Sequence, residues 1–199
     1  MKITSHASVV AETVQKILDV TITWKIEAAG KIDADIAVTK DDEFPDLPRF
    51  GVRMFLDKKL SAVRYFGMGP QESYCDKHQA ASHGLYRADV GDLHEDYIRP
   101  QENGSHYDCE YVELNNSRYG IVASAEKAFS FNASYYTQEE LEKKKHNYEL
   151  IESDSVVFCV DYALNGIGSN SCGPVVLEQY RFDDVLFRFK FTLIPYVKG

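Results

Sequence analysis

Apolar residues recur at every second position through most of this chain, and that period of two restricts its fold more than any other feature. Val20, Ile22, Trp24 and Ile26 alternate with Thr21, Thr23 and Lys25, and after a turn at Ala29, Gly30 and Lys31, Ile32, Ala34, Ile36 and Val38 alternate with Asp33 and Asp35. Successive side chains of a strand point to opposite faces, so this pattern puts one face in a core and leaves the other in water. The two segments read as a hairpin. Further strands are expected over 50–56, 62–66, 107–114, 119–123, 129–133, 155–162, 176–182 and 185–194. In the last, Phe187, Phe189, Phe191 and Leu193 face away from Arg188, Lys190 and Thr192. Many short strands separated by turns predict an all-β fold, a large antiparallel β-sandwich with one short helix.

That helix opens at Thr137-Gln138-Glu139-Glu140, a capping box in which the threonine side chain accepts the Glu140 amide and Glu140 reaches back. It is expected to run about three turns, through Leu141, Lys145 and Tyr148. Its Lys143, Lys144 and Lys145 run reads as a solvated face rather than a binding patch.

With 199 residues, 44% hydrophobic and 13% aromatic, the chain can bury a core of its own, and 1–199 is read as a single domain. The acidic stretch from Asp41 to Pro48 is short enough to be a loop within it. The balance of 22 Lys+Arg against 31 Asp+Glu gives a net charge of −9 with no basic stripe, which argues against a nucleic-acid partner. No window approaches the roughly 18–20 consecutive apolar residues of a membrane span, so no membrane partner is expected. The first ten positions carry neither a basic nor an apolar signal region, which predicts a cytoplasmic location. Cys75, Cys109, Cys159 and Cys172 form no C-x-x-C pair and read as free thiols of a reducing compartment. His78, His83, His94 and His106 match no metal-ligand spacing, so neither a metal nor a cofactor is expected in this chain.

Three stretches are too rich in turn formers and polar residues to be plain strand: Phe66 to Asp76, Tyr97 to Gly104, and Asn165 to Pro174. Loops of this kind on a rigid sandwich are where binding residues tend to lie. Glu72 and Glu102 are either a general acid and base, or carboxylates that tie loop amides or pair with Arg64 or Arg99. Cys172 is either a nucleophile or an unreactive thiol, and no base stands at a spacing that would activate it. Asn132-Ala133-Ser134 reads as strand, not as a glycosylation site.

Leu47-Pro48-Arg49-Phe50-Gly51, the Gly67–Asp76 run with Pro70-Gln71-Glu72-Ser73-Tyr74, Pro100-Gln101-Glu102-Asn103-Gly104 and Phe129-Ser130-Phe131-Asn132 occur in that order. Tyr136-Thr137-Gln138-Glu139-Glu140-Leu141, His146 and Gly166-Ile167-Gly168 follow. The series resembles the C-terminal domain of the large bacterial β-galactosidases of glycoside hydrolase family 2, also found within the small subunit of two-chain forms. It covers the chain from about Ile3 to about Ile194. The resemblance implies a galactose-mutarotase-like supersandwich that begins inside the family's domain and lacks its first strands. It implies partners as well: a catalytic (β/α)₈ barrel and the other domains of the same enzyme, a galactoside substrate, and a homo-oligomer of the parent. Both glutamates of the retaining mechanism belong to that barrel, as do magnesium and sodium. This chain is therefore expected to hold no catalytic residue, while the intact enzyme hydrolyses terminal β-D-galactosides such as lactose with retention.

In the family a Gly-Gly-Asp-x-Ser-Trp-Gly loop of this domain lines the active site, and its tryptophan stacks on the sugar. The matching loop here reads Gly168-Ser169-Asn170-Ser171-Cys172-Gly173-Pro174, one residue shorter, with Cys172 where the tryptophan is expected. A thiol offers no flat π-face to a sugar. Asn170, Ser171 and Cys172 are then expected to bind substrate as a small polar rim. The only tryptophan, Trp24, reads as core. At Asp108-Cys109-Glu110-Tyr111 many relatives have Asp-Val-Arg-Trp, and nothing in the sequence explains the charge reversal at Glu110. The alternative reading is a stand-alone carbohydrate-binding or mutarotase-like sandwich, with Glu102 and His94 or His106 as its acid and base.

Overall fold

The computed structural model describes residues 1–12, 15–167 and 175–199. Ten strands follow in chain order: β1 (Lys2–Val10), β2 (Lys16–Ile26), β3 (Ile32–Lys40), β4 (Arg49–Asp57), β5 (Ala62–Gly69), β6 (Ser82–Asp89), β7 (Ser105–Asn115), β8 (Tyr119–Ser134), β9 (Ser155–Leu164) and β10 (Leu186–Val197). One short α-helix, α1 (Gln138–Lys143), lies between β8 and β9. Every strand pairing is antiparallel. The expected class, all-β and sandwich-like, is the one observed.

The sheet runs β1-β2-β3-β10-β8-β7-β5-β6 and carries β9 and β4 as a branch. The branch point is β8, which pairs with β10 over residues 119–125 and with β9 over 130–134. One long strand thus serves two arms, where two separate strands were expected. The arms face each other across aromatic contacts. Phe50 of β4 meets Phe187 of β10 edge-on at 5.0 Å, and Tyr162 of β9 stacks on the same ring at 4.8 Å.

The period of two accounts for the core. Phe187, Phe189, Phe191 and Leu193 are buried while Arg188 and Lys190 stay exposed. Ile36 and Val38 of β3 lie directly across from Phe189 and Phe187. Burying a side chain of this size contributes about 1.5–3 kcal/mol, which is why register is so tightly specified. Residues 156–161 of β9 are buried without a break, as a strand covered on both faces should be. Trp24 is half-buried, edge-on to Phe191 at 6.1 Å.

Three local expectations are corrected. Residues 176–182 form no strand: a single 3₁₀ turn spans Glu178–Tyr180, with Val176 and Phe182 buried on either side of it. Phe182 satisfies its backbone through Asn165 Oδ1 and the Leu47 amide, both at 3.1 Å, so no sheet partner is needed. The helix stops at Lys143, well short of Tyr148. Thr137 caps it as expected, accepting the Glu140 amide at 3.1 Å, but Glu140 turns away and accepts the Ile151 amide at 2.9 Å. Glu149 takes the Lys145 and His146 amides at 3.0 and 2.9 Å, and these bonds end any helical continuation. Finally, β1 and β6 appear where no strand was expected, because every side chain of β1 is exposed and β6 buries none fully.

The centre of the sheet holds one unusual group. His106 of β7 is 1% exposed, packed against Tyr65 at 4.6 Å and Phe131 at 5.0 Å. Its Nδ1 contacts the Ser105 carbonyl at 2.8 Å, the geometry of a neutral ring donating from Nδ1. Burial pushes its pKa down to about 4. The folded value lies below the unfolded 6.5, so the stability it confers is complete above pH 6.5 and is lost as pH falls through about 4. The contribution of His106 alone to the unfolding free energy is expected to drop by about 3 kcal/mol across that window. Replacing the histidine by an apolar ring, His106→Phe, should flatten this part of a urea-unfolding pH profile. An unchanged slope in the variant would assign the acid sensitivity to another group.

Candidate functional site

A buried ion pair anchors one end of the sandwich. Asp161 sits inside the apolar run Val156-Val157-Phe158-Cys159-Val160, where an unpaired carboxylate would be very costly. Arg49 of β4 answers it with two parallel bonds, Nε to Oδ1 at 2.8 Å and Nη2 to Oδ2 at 2.6 Å. Complete burial pushes Asp161 up to about 6, and the guanidinium limits the rise, so the group stays ionised at neutral pH. Gly51 is required beside it. The β4–β9 register shifts between Phe50 and Gly51, and a Cβ at Gly51 would strike the Asp161 carboxylate and the Val160 carbonyl. The remaining Arg49 nitrogen, Nη1, reaches out to Glu102.

Through Glu102 the pair joins the loops singled out by their composition: the 66–76 and 97–104 loops meet here, with the first residues of the third. Glu72 of the 66–76 loop is nearly buried and accepts from Lys77 at 2.6 Å, the Gly104 amide at 2.9 Å, the Tyr74 hydroxyl at 3.1 Å and the Tyr97 hydroxyl. Burial alone would raise the Glu72 carboxyl, but the bonds from Lys77, Tyr97 and Gly104 outweigh it and hold the group below the usual carboxylate range. Asn103 accepts the Glu95 amide at 2.9 Å through its side chain and the Asn132 side chain at 2.5 Å through its carbonyl. Gly104 takes φ +72, and a Cβ there would press on the Leu93 carbonyl oxygen. The third loop leaves β9 at Leu164 and is caught at once: the Asn165 amide bonds to Pro48 O at 2.9 Å, and the Ile167 amide to Asp76 Oδ1 at 3.1 Å.

Asn170, Ser171 and Cys172, the expected substrate-binding rim, lie outside the described residues. The described chain runs as far as Ile167, held by Asp76, and resumes at Val175. The two glutamates resolve to the structural half of their alternatives. Glu72 ties a loop amide, and Glu102 pairs with Arg49 rather than with Arg64 or Arg99, while Arg64 pairs with Glu113 at 2.7 Å. Neither histidine suggested for the acid–base alternative joins Glu102. His106 is packed under Tyr65, and His94 rests against the Tyr136 ring at 4.9 Å. Cys75, Cys109 and Cys159 are free, and burial pushes all three thiols up, away from the reactive thiolate. Among the described residues no three His, Cys, Asp or Glu side chains gather as a metal site would require.

Sequence reasoning missed Asp161 and Arg49, the hub of this region. The signal was present: a carboxylate within a continuous apolar strand implies a buried cation opposite.

Motif residues at 49, 72–76, 102–104 and 132 thus meet in one hydrogen-bonded region. A family model described as the β-galactosidase small chain matches residues 2–193. The chain belongs to the β-galactosidase small-chain family. A β-galactosidase of Actinobacillus pleuropneumoniae is 50% identical over 179 residues, covering 90% of this chain and 17% of that protein. Those of Staphylococcus xylosus and Kluyveromyces lactis are 36% and 32% identical over 188 and 168 residues, covering 94% and 83% of this small-chain sequence. The chain spans 16–19% of the length of these three relatives.

The ion pair can be tested by cutting it in two ways. Arg49→Leu leaves Asp161 buried without its partner and is expected to cost about 3–5 kcal/mol in urea unfolding. Adding Asp161→Leu should restore much of that loss, because two packed apolar groups replace a stranded charge. A double variant no more stable than Arg49→Leu would mean that the site depends on the Glu102 tie rather than on the buried pair.

Proposed function

We propose that this chain is the C-terminal β-sandwich of a β-galactosidase. Its part in the enzyme is to form one wall of a site that hydrolyses terminal β-D-galactosides, lactose among them, with retention of configuration. The observation that carries this reading is the anchoring of the loop at Ile167. We read the 168–174 loop as the one that faces substrate: its entry is held to the 66–76 loop by the Ile167 amide on Asp76, and Glu72 of that loop is tied in turn to Gly104. In this reading Asn170, Ser171 and Cys172 form a polar rim at the sugar. The acid/base and nucleophile glutamates, together with magnesium and sodium, come from the catalytic barrel of the remaining protein.

The exposed inner face of β1 supports the view that more sheet belongs here. Ile3, Ala7 and Val9 lie opposite Trp24, Val20 and Leu18, on the core side of the sheet, yet Ile3 and Val9 remain 46% exposed. Strands from the rest of the enzyme would cover this overhang, whose outer edge has no neighbour among the described residues. The parent enzyme is read as cytoplasmic, since the described thiols are free as a reducing compartment would leave them, and as a homo-oligomer from the family resemblance alone.

Expressed alone, the 199-residue chain is expected to leave a chromogenic β-galactoside unchanged, whereas the whole enzyme turns it over. Within the whole enzyme, Cys172→Trp should shift KM or acceptor preference. Turnover by the isolated chain near the intact rate would overturn the division of labour, and unchanged kinetics in Cys172→Trp would remove the loop from the sugar site.

A further inference from the structure

The branch in the sheet leaves a cleft that no step of the reading above uses. β8 leaves β10 after residue 125 and meets β9 only at 130, and residues 126–128 have no partner of their own in β7, β9 or β10. On one side of the gap β10 is paired only with β3 over 186–190, and on the other β9 is paired only with β4 beyond Asp161. Between these diverging edges lies a cavity of about 530 Å³, roofed by the segment around Tyr180. The size falls within the range of small-molecule sites, about 300–1,000 Å³.

The lining selects a ligand class. Tyr107 and Tyr180, both half-buried, contribute aromatic surface. The lining charges are of both signs, Asp108, Glu126 and Asp184 with Lys127, Arg181, Arg188 and Lys190, and several are engaged: Arg188 holds Asp35 through two bonds of 2.5 Å, Lys190 stands 3.8 Å from Glu126, and the Tyr162 hydroxyl donates to Asp184 at 3.4 Å. Such mixed walls favour no ion of a single sign. They suit a neutral ring that packs C–H groups on aromatic faces and offers hydroxyls to strand backbone left without a neighbour. We propose that this cleft between β9 and β10 is a saccharide-binding site lined by described residues of this chain. It concentrates or orients sugar beside the active-site wall and performs no chemistry.

Lactose titrated into the ¹⁵N-labelled 199-residue chain tests this without the rest of the enzyme. Saturable shifts are expected at the amides of residues 125–130 and at Cys75, with millimolar affinity. Ala128→Arg, at an exposed floor position, fills the cleft without removing a packed side chain and should weaken binding by about tenfold or more. Tyr180→Ala should weaken it through loss of the aromatic wall. Cys172→Ala should bind as the unaltered chain does, which separates this site from the rim proposed above. Three results would each overturn the proposal: no saturable shift at 125–130, equal affinity in Ala128→Arg and Tyr180→Ala, or loss of binding in Cys172→Ala.

Discussion

The Arg49–Asp161 pair is the interaction on which the loop end of this molecule depends. A carboxylate so deeply placed loses several kcal/mol of hydration, and only a bidentate guanidinium at hydrogen-bond distance offsets that loss. The geometry constrains three further residues. Gly51 must lack a side chain, β4 must carry a register shift beside it, and Glu102 must balance the arginine from outside. A replacement of either charged partner alone therefore disturbs two strands and a loop together.

From that hub the order propagates outward by hydrogen bonds rather than by apolar packing. Glu102 fixes one end of the 97–104 loop, Gly104 passes the constraint to Glu72, and Asn103 passes it to Asn132 on β8. Loops held in this way can present side chains to a partner with little entropy left to lose on binding. The same economy explains why polar and glycine residues dominate these stretches. Among the described residues, Glu72, Ser73, Asn103 and Asn165 donate or accept in the network, and Gly67, Gly69, Gly104 and Gly166 are positions where a Cβ would collide.

The fold was legible from the sequence wherever one face of a strand is buried, as in β2, β3 and β10, since alternation follows from that burial. It was illegible where burial does not decide. β1 has no covered face and so shows no pattern that core packing would impose, and the apolar residues of 176–182 mimic a strand while plugging a gap in the sheet. The site was legible as three suspicious loops but not as a network. Their connection runs through pairs such as Arg49 and Asp161, 112 positions apart, and single-sequence spacing carries no information about such pairing. Only the anomaly of a carboxylate in an apolar run pointed to it.

The carboxylates here also illustrate how a perturbed group can be structural. A general acid in glycoside hydrolysis needs a raised pKa and access to the glycosidic oxygen. Asp161 has the raised value, yet it is fully buried and clasped by Arg49, so no substrate oxygen can approach it. Glu72 is held low by three donors, the wrong direction for an acid, and Glu102 is occupied by Arg49. The raised pKa of Asp161 therefore reports the cost of placing a charge inside β9, and that cost is offset by joining two strands and a loop. These carboxylates accordingly serve shape, holding cross-linked loops at one end of the sheet beside the fork in β8.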